Sequence, residues 1–184
     1  ISSVKANEVI NKIVINGNQR ISEETIKIYG EIDKNQKINE SKINLIIKNL
    51  YSTNFFEDVD VSYLNKILTI NLKEYPIVNQ LIIIGEKSNK IKSQIKKLIS
   101  LKEKRSFIKS KLSNDLEIIK TLYASIGYNF SIVEAKIKEI DNNNYDLIFE
   151  IKRGKESRIT SINFIGDKKL RDKRLKDIIA SEEH

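Results

Sequence analysis

Three segments of this chain repeat one another, and each closes on a glycine: Val9 to Gly17, Ile77 to Gly85 and Arg158 to Gly166. Each is rich in β-branched residues with short polar interruptions, the pattern of a strand. The glycines stand at 17, 85 and 166, so the period is 68 and then 81 residues. That is too long for a solenoid repeat and about the size of a small domain, so each unit is expected to carry its own core.

The stretch after each glycine repeats as well. In the first unit Ser22 is placed to cap a short helix that Gly30 ends, and in the second Ile91, Ile95, Leu98 and Ile99 recur at helical spacing. Asn39 then caps a helix bearing Ile43, Ile46, Ile47 and Leu50, matched by Leu112, Leu116, Ile119 and Tyr123 before Gly127. Period two takes over next. Val59, Val61 and Tyr63 alternate, Asn65-Lys66 turns, and Leu68, Ile70 and Leu72 return; Val133, Ala135 and Ile137 turn at Asp141 to Asn144 and return through Leu147, Phe149 and Ile151.

The fold class read from this order is α+β, with tandem β-α-α-β-β modules. Two helices bring the chain back to the end of the first strand from which it left. The second strand therefore runs antiparallel to the first and the third parallel to it. A right-handed crossover puts the third strand in the middle of a three-stranded mixed sheet, with two helices on one face and strands one and two as edges. The expected organisation is a lead segment 1–8, modules at 9–76 and 77–154, and the first strand and helix of a third at 155–184, where Leu175, Ile178 and Ile179 repeat the helical spacing. Pro76, the only proline, stiffens the first junction. The chain begins without methionine and stops soon after a helical pattern, as a fragment of a longer protein does.

Composition excludes most chemistry. Cysteine is absent and the only histidine is His184, so a thiol nucleophile, a zinc site or a His-based triad has no parts; no cofactor and no catalytic residue is expected. Asp58 and Asp60 share a strand face, but as solvent-facing alternates of Val59 and Val61 they lack convergent partners. No run approaches the roughly 20 apolar residues of a membrane helix.

With the modules laid out, the chain resembles the polypeptide-transport-associated (POTRA) modules that precede the barrel in outer-membrane β-barrel assembly factors of the BamA family. The resemblance rests on Leu50-Tyr51-Ser52-Thr53-Asn54-Phe55-Phe56-Glu57-Asp58-Val59, on Lys73-Glu74-Tyr75-Pro76, and on Leu122-Tyr123-Ala124-Ser125-Ile126-Gly127-Tyr128. The pieces Asn16-Gly17-Asn18, Gly85-Glu86 and Gly166-Asp167 gain weight from standing in register with these. The resemblance implies a periplasmic part of a Gram-negative outer-membrane protein. Its partners would be unfolded outer-membrane proteins, accessory assembly lipoproteins and periplasmic chaperones. Related modules also occur in polypeptide-secretion transporters, which is the alternative reading.

An edge strand binds an extended peptide by accepting it as a further strand, through main-chain hydrogen bonds that tolerate many sequences. The candidate edges are the second strands: Asp58, Val59, Asp60, Val61, Ser62 and Tyr63, and Ser131, Ile132, Val133, Glu134, Ala135, Lys136, Ile137 and Lys138. The competing reading is that these edges are merely solvated, with Lys136 and Lys138 deterring aggregation. Of Phe55 and Phe56 only one can face the core; the other is either a sticky surface group or packs on a helix flank or a neighbouring module, and Tyr123 and Tyr128 are read as core rims rather than recognition residues.

Charge is uneven: residues 76–154 carry fifteen basic and nine acidic residues, whereas 1–75 carry ten of each. Lys87, Lys90, Lys92, Lys96, Lys97, Lys102, Lys104, Arg105, Lys109 and Lys111 meet a single acid, Glu103. This is either a patch for anionic lipid headgroups or an acidic partner, or a solvated helix face. A basic α/β nucleic-acid module is the rival from another class. It lacks a Gly-X-X-Gly loop and an aromatic ribonucleoprotein strand motif, and the first unit is neutral, so no nucleic acid is expected.

Overall fold

The computed structural model describes residues 8–141, 143–159 and 161–162. The first module opens with β1 (Glu8–Val9) and β2 (Lys12–Asn16), followed by α1 (Glu23–Gly30), β3 (Lys37–Ile38), α2 (Glu40–Ser52), β4 (Phe56–Leu64) and β5 (Ile67–Glu74). The second consists of β6 (Ile77–Ile84), α3 (Asn89–Leu98), α4 (Lys109–Ser125), β7 (Ile132–Asp141) and β8 (Asn144–Lys152). The three-stranded sheets have the orders β2-β5-β4 and β6-β8-β7. The third long strand of each module is central, as the crossover argument requires; in the first module it runs parallel to β2 and antiparallel to β4.

The first two helices begin at the caps that the sequence places, Ser22 and Asn39, and α3 begins at Ser88. Ser22, Asn39 and Ser88 each accept the N–H three residues on. Ile26, Ile46 and Leu50 are buried beneath the helices against Leu68 and Ile70 of the central strand, with Ile43, Ile47 and Val61 packed around them. Asn65 and Lys66 both take positive φ, 51° and 64°, the two-residue turn that matches strand twist. Phe56 reaches the core because the strand register shifts between Phe56 and Asp58, bringing it into phase with Val59. Phe55 instead meets Tyr29 of α1 edge-on at 5.9 Å, the helix-flank position.

Several expectations need correction. The first strand breaks at Ile10-Asn11, because Ile10 turns into the core and exchanges main-chain bonds with the loop between the helices: its N–H donates to the Gln36 carbonyl and its carbonyl accepts from Asn35. The pair β1 and β3 formed beside this latch was not anticipated. The second module repeats the latch at the position the repeat predicts. Val78 donates to the Arg105 carbonyl and accepts from the Lys104 N–H, and Lys104, like Asn35, has positive φ. Leu98, placed on the inward stripe of α3, is 49% exposed, since Ile95 and Ile99 fill the inward side. Ile137 is 43% exposed, so inward alternation on β7 ends after Ala135. Ser131 precedes β7. Of the expected third module, 155–159 and 161–162 are described and carry no helix or strand. Gly166, Leu175, Ile178, Ile179 and His184 lie outside the described residues, as do 1–7 of the lead segment.

The two repeat glycines share one steric role. A Cβ on Gly17 would stand 2.0 Å from the Leu72 carbonyl oxygen, and one on Gly85 1.9 Å from that of Ile151. Both have positive φ, so only glycine lets the end of the first strand approach the central one this closely.

The loops beyond them are pinned by different carboxylates. Glu74, buried at the end of β5, accepts the N–H groups of Gln19, Arg20 and Ile21 at 2.8, 3.0 and 3.1 Å and pairs with Arg20 at 3.0 Å. In the second module Glu86 accepts from the Ser88 N–H at 2.6 Å and the buried Tyr123 hydroxyl at 2.5 Å. Asp115, buried in α4, accepts the Ser100 N–H at 2.6 Å and ties down the end of α3.

Gly17→Ala and Gly85→Ala are expected to cost about 3 kcal/mol or more, because positive φ and the carbonyl clash act together. At Gly127 a Cβ meets only the Glu156 side chain at 3.5 Å, so Gly127→Ala should cost about 1 kcal/mol. Urea unfolding checks the order. Burial opposes ionisation of Glu86, but the Tyr123, Ser88 and Lys87 donors and the charge of Arg153 outweigh it and hold the carboxyl below its ordinary 4.5. A lowered folded pKa contributes stability that is present above the unfolded value and lost as pH falls through the folded one. Unfolding midpoints between pH 6 and 3 should therefore fall less steeply in Glu86→Gln than in the parent, the profiles converging in acid.

Candidate functional site

A strand at the rim of a sheet carries main-chain groups on its outer side that must find water or a partner. By strand order the rims are β2 and β4 in one module and β6 and β7 in the other. They are not equally open. Along β6, the loop between α3 and α4 takes the outer groups: Val78 is engaged by Lys104 and Arg105, and the Leu81 N–H donates to Glu103 at 3.1 Å. The start of the first module is latched in the same way at Ile10, and Tyr63 donates its hydroxyl to the Val9 carbonyl at 3.0 Å.

The register of β4 shows which of its groups face outward. The two-residue turn makes Leu64 and Ile67 a hydrogen-bonded pair, so Ser62, Asp60 and Asp58 also bond to β5. Val59, Val61 and Tyr63, opposite Leu72, Ile70 and Leu68, direct their N–H and C=O groups away from it. One of these is occupied within the module. The Val59 N–H donates to the Tyr51 hydroxyl at 3.1 Å, and that hydroxyl donates onward to Asp58 at 3.2 Å. Asp60 accepts from Asn71 at 3.2 Å. The two carboxylates are therefore engaged with separate partners. Among the described residues no group of three or more His, Cys, Asp or Glu could hold a metal.

The other predicted edge, β7, is longer and more open. Val133 is buried and Ala135 half-buried, after which the strand is exposed on both faces, with Ile132 and Ile140 on one side and Ile137 on the other. Lys136 pairs with Glu150 of the central strand at 2.7 Å; that carboxylate raises the ammonium pKa, and Lys138 is exposed. Phe130, just before the strand, is 79% exposed. Tyr123 is fully buried and Tyr128 half-buried beneath Arg153, whose guanidinium lies 4.8 Å from the ring centroid.

The predicted basic run is divided among three elements. Lys90, Lys92, Lys96 and Lys97 fill the arc of α3 opposite Ile91 and Ile95, the outer face of an amphipathic helix. Lys87 precedes that helix, and Lys109 and Lys111 stand in the first turn of α4. Lys102 is half-buried in the loop between them. Lys104 and Arg105 serve the β6 latch, and the Lys104 ammonium donates to Asn79 at 2.8 Å.

The Tyr51 contact, the latches, and the roles of Glu74, Glu86 and Asp115 are not among the features expected from the sequence. A signal for Glu74 was present: it continues the inward phase of Leu68, Ile70 and Leu72, and the first 75 residues hold one arginine, Arg20, to meet it. Among the described residues no helix is long and apolar enough to cross a membrane, which says nothing of a β-barrel.

The POTRA family model, described as a surface antigen variable number repeat, matches residues 8–75 and again 76–154. The chain is 29% identical over 180 residues to the outer membrane protein assembly factor BamA of Neorickettsia risticii (strain Illinois), covering 97% of this chain and 24% of that protein. It is 28% identical over 173 residues to BamA of Neisseria meningitidis serogroup B, covering 92% and 22%. It thus spans about a quarter of the length of these curated relatives. In fold it resembles the N-terminal domain of Omp85 from Thermosynechococcus elongatus, with TM-score 0.52 at 13% identity over 98% of this chain and 79% of that one.

If Tyr51 occupies an outer N–H of β4, the Val59 amide should exchange with solvent more slowly than those of Val61 and Tyr63. Tyr51→Phe should speed Val59 exchange by about tenfold, one modest hydrogen bond, leaving central Ile70 unchanged. Amide exchange followed by NMR measures both.

Proposed function

The chain belongs to the POTRA family, and from that premise we propose that it is the periplasmic polypeptide-binding region of an outer-membrane β-barrel assembly factor. Its task in this reading is to hold unfolded barrel precursors as extended segments added to a sheet rim, and to dock accessory assembly lipoproteins and periplasmic chaperones. The observation that carries the proposal is β7: a ten-residue rim strand with isoleucines exposed on both faces, in a module whose other long rim is engaged by its own loop at Val78 and Leu81. Main-chain pairing accepts any sequence that can extend, and the isoleucines offer contact to the apolar alternates of a barrel strand. The similarity to BamA proteins along almost the whole chain supports the same reading.

The lysines on the outer arc of α3 favour a second contact, with anionic lipid headgroups. An added cation near such a surface contributes about 1 kcal/mol. That contact would orient the module beside a membrane and is compatible with polypeptide binding.

Titration of the chain with a urea-unfolded outer-membrane barrel protein, and separately with single-stranded RNA, tests the proposal. Saturable binding to the unfolded barrel protein that weakens little between 50 and 200 mM salt, on the order of twofold, is the expected result. Tight, steeply salt-dependent RNA binding with no affinity for the unfolded protein would overturn it.

A further inference from the structure

We infer that the two modules differ in whether their second strand accepts an added strand, and that one helix position decides it: Tyr51 closes β4 and Ala124 leaves β7 open. The inference rests on the strand-addition reading above and adds which rim is used and why.

The tyrosines of the two modules occupy different places. The second long helix of each module leads to a residue with positive φ, Asn54 at 57° and Gly127 at 92°. Four residues before it stand Leu50 and Tyr123, both fully buried in their cores. Three before it stand Tyr51 and Ala124, both exposed. Tyr51 and Tyr123 therefore differ by one residue of helix, which is about 100° of rotation. Tyr123 points inward to Glu86, and Tyr51 reaches across to β4, where its hydroxyl takes the Val59 N–H and donates to Asp58. The methyl group of Ala124 can do neither.

This contact takes the N–H of the first of three outward residues of β4, Val59, Val61 and Tyr63, and so shortens the run of donors open to an added strand. An arriving strand would also have to displace the phenol. β7 runs for ten residues, of which about five direct their main-chain groups outward by alternation, and among the described residues no side chain is hydrogen-bonded to its main chain. The occupant is an extended segment of unfolded polypeptide. A second copy of the chain is disfavoured, because pairing rim to rim would bring together two modules that each carry fifteen basic and nine acidic residues.

The 15N-labelled 184-residue chain, titrated with a twelve-residue peptide of alternating valine and threonine, provides the test. In the parent, amide shifts should move along β7 and not along β4. In Tyr51→Ala, and in Tyr51→Phe, which keeps the ring, the Val59, Val61 and Tyr63 amides should begin to respond, with affinity at β4 rising about tenfold. Ala124→Tyr should weaken binding at β7 by a similar factor. Undisturbed shifts in the central strands report that each variant is folded. Peptide binding at β4 in the parent, or a silent β4 in both Tyr51 variants while β7 still binds, would overturn the inference alone. No response on either strand in any variant would remove the strand-addition reading with it.

Discussion

The close approach of the end of the first strand to the central one is a constraint common to both modules. Gly17 and Gly85 press their main chain against the carbonyls of Leu72 and Ile151 so tightly that no side chain fits. The third strand lies between the other two, so the first and second strands are both rims. In the proposed reading an extended polypeptide uses the outer main-chain groups of the rims, and how many stay unpaired depends on the loops and side chains packed beside them.

Those neighbours treat the rims differently. The loop between the helices is spent on the first strand in each module, through Asn35 and Gln36 in one and Lys104 and Arg105 in the other, with Glu103 adding a further cap on β6. The second strands differ in a further way. On β4 a phenolic hydroxyl takes one outward N–H; on β7 the matching position is alanine. Two copies of one fold thereby present different surfaces without any change in topology.

Much of the architecture was legible in the sequence because it depends on local chemistry. The glycine register, the Ser22 and Asn39 caps, the Asn65-Lys66 turn and the order of elements all arise from residues acting on their own neighbourhood. The less legible features depend on main-chain atoms or on rotation about a helix. The latches are bonds between peptide groups, for which Asn35 and Lys104 share only an unusual φ. Tyr123 ends the inward stripe as Leu50 does, so its burial was legible, whereas the reach of Tyr51, one residue further round its helix, to β4 was not. Ile137 continues the alternation of its strand, yet the cover that would bury it stops short of its position.

The absence of cysteine makes the central claim directly measurable by disulfide capture. Single substitutions Lys138→Cys on β7 and Ser62→Cys on β4 place one thiol on each rim, and an unfolded outer-membrane barrel protein bearing one cysteine serves as the probe. Capture at position 138 several times faster than at position 62, and lost when the probe is folded, is the predicted result. Equal capture at both positions, or faster capture at position 62, would contradict an open β7 and a closed β4.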